Sequence, residues 1–507
     1  MIPENSIMSV NISYTASIVA IVVVFAKLYQ KSSLASGKNS IPLPPGPPAR
    51  WFWSNALPTV NIAHALTDLV REYGSIVSLR QGSQVIVVIG SVEAATDIME
   101  KEGGSLVDRP GSVAVGEMLS KGMRILMARS GDRFRRLRKA VHTHLQPKVA
   151  ETYQNMQREN AMIFVLDMLN DPKNPQKHAQ RFAASVILRV TYGKSVPTAN
   201  TDPEVVRIRR VMEHFQVAMR PGAYLVDRVP LLRYWPSYGK QLAEWHHEEL
   251  ELYKHQLQRV ESEIDQNTAG PSFTKTLLEH ANEYQLSTDE MAYLAGSLFG
   301  AGSDTTAVAM TVAIMAAACY PAAQAKVHEE LNMIIGSDRA PTFEDSSSLP
   351  QLHAFLLESL RWRPVIRIGF PHRATKDIFW QGYYIPEGAI VYGCQWAISR
   401  DPIAFPDPET FDPQRWIDSE GRLKDNVRFI TYGFGRRVCP GLHLANHSLY
   451  ISLAILLWSF RIVQRPDAPI NTHAFLDAVI AHARPFEIDV IPRIEVAKLK
   501  ELMTDGV

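Results

Sequence analysis

Apolar residues recur at helical spacing along four long stretches, Val149 to Leu169, Leu242 to Ile264, Thr288 to Ala318 and Ala322 to Ile335. A repeat of three to four residues gathers them on one side of a helix, so each stretch predicts a helix with a buried face. A different period marks VSLRQGSQVIVVIG, Val77 to Gly90, where β-branched residues flank Gly82 and predict a hairpin of two strands. The stretch from Trp380 to Tyr392 reads in the same way. The predicted fold is mainly α with a small β part. No repeat, low-complexity tract or long linker interrupts residues 51 to 493, which predicts one large domain.

The densest apolar run lies earlier, from Ile12 to Ala26, with IVAIVVVF between Ile18 and Phe25. A bilayer core takes roughly 20 helical residues, a length reached if the run extends to Tyr29 and Lys27 reaches back to the headgroups. Lys27, Lys31, Lys38 and Arg50 follow the run while only Glu4 precedes it, and this asymmetry leaves the rest of the chain in the cytosol. A cleaved signal peptide would carry its basic residues before the run, so residues 1 to 30 are expected to be an anchor. Next comes PLPPGPPAR, Pro42 to Arg50, whose prolines favour an extended strut, and residues 31 to 50 are expected to form a hinge before a folded domain at 51 to 507.

Composition excludes more than it selects. Apolar residues make up 46% and charged residues 21%, ordinary for a folded domain. A net charge of +1 gives no bulk electrostatic case for nucleic acid. Cys319, Cys394 and Cys439 are too few and too scattered for a disulfide framework or a paired-cysteine zinc site, and they suit a reducing compartment.

Chemistry concentrates in three places. In YGFGRRVCPG, Tyr432 to Gly441, glycines at 433, 435 and 441 surround Cys439; glycine lets backbone approach a flat cofactor, and the helix that follows would favour a thiolate at its N-terminus. Taken alone, the cysteine fits better a buried structural thiol in a glycine-rich turn. Glu358 and Arg361 sit one turn apart in LHAFLLESLRW, where they can pair on one helical face. Asp304 and Thr305 interrupt the apolar helix at AGSDTT, and an acid beside a hydroxyl in such a helix needs partners, because burying either alone costs on the order of 1 to 3 kcal/mol. The bland alternative is a threonine bonded to a carbonyl one turn back and a solvated aspartate.

These motifs resemble the cytochrome P450 family. Tyr432-x-x-Gly435-x-Arg437-x-Cys439-x-Gly441 is similar to its haem loop F-x-x-G-x-R-x-C-x-G, with Tyr432 in place of phenylalanine. Glu358-x-x-Arg361 resembles its E-x-x-R, and Arg415 of FDPQRW stands at the third position of the associated structural triad. Ala301-Gly302-Ser303-Asp304-Thr305 resembles the oxygen-activating helix, which implies Asp304 and Thr305 as catalytic proton-handling groups and Gly302 as room for O2. GDRFRRLRKAVHTHL resembles the family's W-x-x-x-R helix with Phe134 replacing tryptophan and Arg138 in place. The resemblance implies haem b ligated by the Cys439 thiolate, with Arg138, His372, Arg437, Gly302, Gly435 and Gly441 around the cofactor and Arg109 as a further candidate for its propionates. Arg135, Arg136, Lys139 and Arg436 are expected to form a positive patch for an electron donor.

The overall look, including PGAYLVDRVPLL, is similar to fungal microsomal members. Residues 51 to 507 then form the catalytic domain of a monooxygenase that inserts one oxygen atom from O2 into a lipophilic small molecule, in secondary metabolism such as terpenoid or polyketide tailoring, or in xenobiotic oxidation. The implied partners are NADPH-cytochrome P450 reductase, O2, substrate and, through one span, the endoplasmic reticulum membrane, with the domain facing the cytosol. Expected pocket walls are Val113 to Met127, Phe299, Gly300, Val365 to Phe370 and the turn near Ile480. A haem-thiolate isomerase or dehydratase and a haem-binding scaffold without turnover are the rivals, and the Asp304–Thr305 pair argues against the first.

Overall fold

The computed structural model describes residues 41–49, 54–55, 59–194, 198–235, 237–424 and 430–504. The expected anchor lies outside the described residues. In chain order the longer helices are α1 (Ile62–Tyr73), α2 (Asp132–Leu145), α3 (Gln154–Asn170), α4 (Pro175–Tyr192), α5 (Pro203–Ala218), α6 (Lys240–Asp265), α7 (Thr288–Cys319), α8 (Pro321–Ile334), α9 (Pro350–Trp362) and α10 (Leu442–Ser459).

The axis of the fold is α7, whose start is set by a capping box in which Ser287 and Glu290 each satisfy the other's backbone N–H. Among the described residues it is the one helix long and apolar enough to cross a bilayer, yet most of it is buried within the domain, so its apolarity belongs to the core. Against it pack α4, α5, α6, α9 and α10. The predicted helix from Val149 to Leu169 is two helices, Pro147–Glu151 and α3. Between them the Thr152 hydroxyl donates to the Val149 carbonyl at 2.7 Å, a local bond that competes with helix continuation.

The hairpin forms as predicted, β1 (Ile76–Gln81) antiparallel to β2 (Gln84–Ile89) across Gly82, whose φ of +58° suits a residue without Cβ. Two further strands complete this sheet: β3 (His372–Arg373) and, after the small hairpin of β4 (Ile378–Trp380) and β5 (Tyr383–Ile385), β6 (Ile390–Gly393). The order is β1-β2-β6-β3, with β2 parallel to β6. The proline-rich stretch lies against these strands. Ser78 donates its N–H to Pro45 O at 2.8 Å and its hydroxyl to Pro44 O at 2.6 Å, and Tyr384 N–H reaches Pro42 O at 2.9 Å.

Candidate active site

Residues 431 to 441 form a loop that ends where α10 begins. Gly435, with φ of +55°, is pressed against the chain at Met99 and Gly103 so closely that a Cβ would stand 2.7 Å from the Met99 carbonyl. Its N–H is held by Glu100 Oε2 at 2.7 Å. The loop is thereby braced, and Cys439 is fixed by its own N–H on the Tyr432 carbonyl at 2.9 Å. Burial pushes the Cys439 thiol up, while a bond from the Gly441 backbone N–H and the nearby Arg138 charge pull it down. A cation at the sulfur would reverse the balance, because a coordinating thiol is deprotonated by the metal it binds. The hydroxyl that distinguishes Tyr432 from phenylalanine donates to Asn446 Oδ1 on α10 at 2.6 Å.

Basic side chains converge beside this loop. Arg138 of α2 donates to the Val438 carbonyl at 2.8 Å, next to the cysteine. Arg437 donates to the carbonyls of Val107 and Ala128, both at 2.7 Å, with its guanidinium 3.5 Å from the ring centre of Phe134. Phe134 thus supplies a stacking face where an indole N–H is lost. Arg109 is buried, donates to the Phe370 and Pro371 carbonyls at 3.1 and 2.6 Å, and leaves its Nε without a hydrogen-bond partner among the described residues. Burial and then repulsion from Arg437 bring the Arg109 guanidinium down to about 9, and burial brings Arg437 down to about 10. Burial, followed by the charge of Arg109, holds His372 at about 3, and its Nδ1 faces the Leu106 carbonyl at 2.6 Å, so the ring is neutral. Mutually repelling cations, one with an orphaned donor, are what carboxylates of a bound cofactor would relieve. These residues fit the acidic edge of a haem.

On the other side of the site, α7 is buried on both flanks but opens at residues 301 to 306, where Ala301 is exposed and the others are partly exposed. Asp304, half-buried, does not rely on solvent alone. Its Oδ1 lies 3.0 Å from His482 Nε2, and Gln216 of α5 donates to Oδ2 at 3.3 Å. Burial alone would lower His482, but the bond to Asp304, its charge and that of Glu213 raise it. Thr305 donates its hydroxyl to the Ala301 carbonyl at 2.7 Å, the back-bonded arrangement weighed from the sequence. Gly302 was expected to leave room for O2. Its vacant Cβ direction faces Ile187 of α4 at 2.6 Å, so the glycine serves close helix packing. Phe299 and Gly300, expected as pocket walls, are core: Phe299 meets Tyr192 edge-on and Gly300 faces Met212. Of the expected wall Val365 to Phe370, Val365 is core, while residues 366 to 370 line a pocket with Ala478 and Val479 that Cys439, Asp304 and Thr305 do not border.

The triad assembles in full. Glu358 takes Arg361 Nε at 2.8 Å and Nη2 at 2.7 Å, Arg415 Nε at 3.1 Å and Trp416 Nε1 at 2.9 Å. Arg361 also reaches the carbonyls of Ser399, Pro408 and Thr410. The predicted positive patch is partly neutralised, since Arg135 pairs with Asp132 and Lys139 with Glu283 at 2.9 Å, leaving Arg436 exposed. His482, Gln216 and Asn446 carry no motif, and the sequence marks them only through the proximity of His482 to the Ile480 turn; Trp416 closes the FDPQRW stretch, where the sequence pointed to Arg415 alone.

Residues 44–490 match the family model for cytochrome P450. The chain belongs to the cytochrome P450 family. It is similar to cytochrome P450 monooxygenases 64 and 88 of Postia placenta, at 47% and 46% identity, each over 90% of this chain and 92% of the relative. A cytochrome P450 monooxygenase of Armillaria gallica is 32% identical over 90% of this chain and 91% of its own. The fold is that of a cytochrome P450 and the chain is a monooxygenase, an oxidoreductase of the haem-thiolate class. As a P450 it works with O2, an electron-donating partner and an organic substrate.

Proposed function

We propose that this P450 holds haem b through Cys439 and inserts one oxygen atom from O2 into a lipophilic small molecule, in fungal secondary metabolism or xenobiotic oxidation. The observation that carries the reading is the braced Cys439 loop, with Gly441 N–H aimed at the sulfur and the Arg109, Arg138, Arg437 and His372 cluster beside it. Arg109, Arg138 and Arg437 would hold the propionates, with His372 at their side. Haem bound through the Cys439 sulfur would supply O2 activation, since thiolate ligation favours O–O cleavage.

The chain's own groups supply protons. His482 and Gln216 hold Asp304 at the opening of α7, where it can exchange protons with solvent and pass them towards Thr305. The Thr305 hydroxyl, released from the Ala301 carbonyl, would donate into the site. The apolar wall at Ile366 and Ile368 suits a lipophilic substrate.

Electrons would come from NADPH through cytochrome P450 reductase, docked near Arg436 and Arg136. Attachment to the endoplasmic reticulum membrane accords with the apolar run before residue 30, and with the exposed Leu225, Leu231, Tyr234 and Trp235 on one surface segment beside Arg228.

The test is the absorption spectrum of the reduced, carbon monoxide-bound enzyme. The long-wavelength band of thiolate-ligated haem is expected, and should be lost on Cys439→His. A wild-type band at the position of imidazole-ligated haem would overturn the reading. NADPH-driven turnover with reductase, absent from a haem scaffold, is expected with substrate.

A further inference from the structure

Three arginines crowd around Trp396. The guanidinium carbon lies 3.3 Å from the ring centre for Arg400, 4.8 Å for Arg367 and 5.6 Å for Arg363. Two of them are satisfied. Arg400 donates to Glu409 at 2.8 Å and to the carbonyls of Trp396 and Trp362; Arg363 donates to the carbonyls of Thr472 and Trp362 at 2.8 and 2.9 Å. Arg367 has no hydrogen-bond acceptor among the described residues, and its Nε is buried without a partner. Its guanidinium also lies 4.5 Å from the ring centre of Phe475. Aromatic contacts occupy the faces of such a group and leave its N–H edge to find an acceptor.

The charges around it do not balance. Glu409 is committed to Arg400, and Asp477 accepts the Asn61 N–H at 2.9 Å without forming an ion pair to Arg367 among the described residues. Burial, with repulsion from Arg400, lowers Arg367 to about 10, so it remains a cation at neutral pH. Three guanidinium groups therefore face two carboxylates.

Arg367 also lines a pocket of about 130 Å³ whose other walls include Asp477 and the apolar Ile62, Leu79, Val88, Ile366 and Ile368. A pocket that small takes only one end of an organic ligand, since whole-ligand sites run to roughly 300–1,000 Å³. The same segment reaches the active site at both ends. Ile366 bridges to Ile480, next to the turn that carries His482, and the Phe370 and Pro371 carbonyls hold Arg109.

We infer that Arg367 is an anion-binding subsite at the outer end of the substrate pocket, so that the substrate is an amphiphilic molecule with an apolar body and one terminal carboxylate. This rests on the monooxygenase reading and narrows its substrate class. The carboxylate completes the N–H edge of Arg367, His64 stands on the same pocket wall, and the apolar body runs along Ile366 and Ile368.

Calorimetric titration of the haem-loaded enzyme with dodecanoate and with 1-dodecanol tests this without turnover. Dodecanoate should bind at least about tenfold more tightly, a modest demand on a hydrogen bond to a charged group. Arg367→Gln should abolish that preference while leaving dodecanol affinity within about twofold, and Arg367→Lys should keep part of it. Equal affinity of the wild type for the two probes overturns the inference, as does a preference that survives Arg367→Gln; the wild-type comparison decides even if the variant fails to load haem. The carbon monoxide spectrum of the same sample reports separately on the monooxygenase reading, so an acid preference without a thiolate band would sink that reading and leave the subsite standing.

Discussion

The hydroxyl of Thr305 is already spoken for, donating to Ala301 O one turn back, and this makes its proposed role testable apart from stability. A back-bonded hydroxyl contributes little to a helix. Thr305→Ala should change the unfolding free energy by less than about 1 kcal/mol, yet raise the hydrogen peroxide released per NADPH consumed several-fold. Unchanged coupling, measured by peroxide assay against product, would remove Thr305 from the proton path. Tyr432→Phe, which restores the family's usual residue, should cost about 0.5–1.5 kcal/mol in denaturant unfolding through the lost bond to Asn446, with the carbon monoxide spectrum unchanged. At this scale the motif residues were legible because their chemistry is local in the chain. Their partners were not. The sequence placed Asp304 beside Thr305 but marked neither His482, beyond its place near the Ile480 turn, nor Gln216, which arrive from a distant turn and from another helix.

Elements meet through contacts that spacing alone prices poorly. The spacing of a glutamate and an arginine one turn apart says only that they can pair, yet Glu358 and Arg361 are fully buried and draw in Arg415 and Trp416. Removing one partner of a buried pair leaves the other charge uncompensated, typically at about 3–5 kcal/mol. Glu358→Gln should therefore lower stability by about that amount in chemical denaturation and reduce haem retention; a loss below 1 kcal/mol would contradict the buried geometry. Gly302 teaches the opposite lesson. The motif suggested space above a cofactor, whereas the packing of α7 on α4 requires the missing side chain. Gly302→Val should destabilise by at least about 1–3 kcal/mol, with partial rescue by Ile187→Ala, in thermal or denaturant unfolding. The β hairpin and the outer bounds of the four predicted helical stretches followed from hydrophobic period, and the break after Glu151, where the Thr152 hydroxyl bonds back to Val149, did not.

For the molecule as a whole, histidines set an acid limit. His372 and His328 are held neutral chiefly by burial, down to about 3 and about 4. The unfolded chain takes up protons on both below about pH 6.5 and the native state does not, so their contribution is intact above that pH and falls away as pH drops towards 4 and 3. His482 works in the other direction. Its pairing with Asp304 raises it, so its contribution is full below about pH 6.5 and is lost as pH rises through the raised folded value. Thermal unfolding of wild type and His372→Phe across pH 4.5 to 8 should show the variant losing less stability in acid. His482→Gln should shrink its stability deficit as pH rises, and a deficit that grows with pH would contradict the pairing.

The docked prolines carry a consequence for how the molecule is moored. Where a slack leader would let the domain roll freely, here the chain before Pro42 departs from a fixed spot on the sheet, because Pro42, Pro44 and Pro45 are bonded to Tyr384 and Ser78. Whatever the preceding forty residues grip therefore constrains the heading of the whole body, and Ser78→Ala, by loosening one of those ties, should widen its range of tilt.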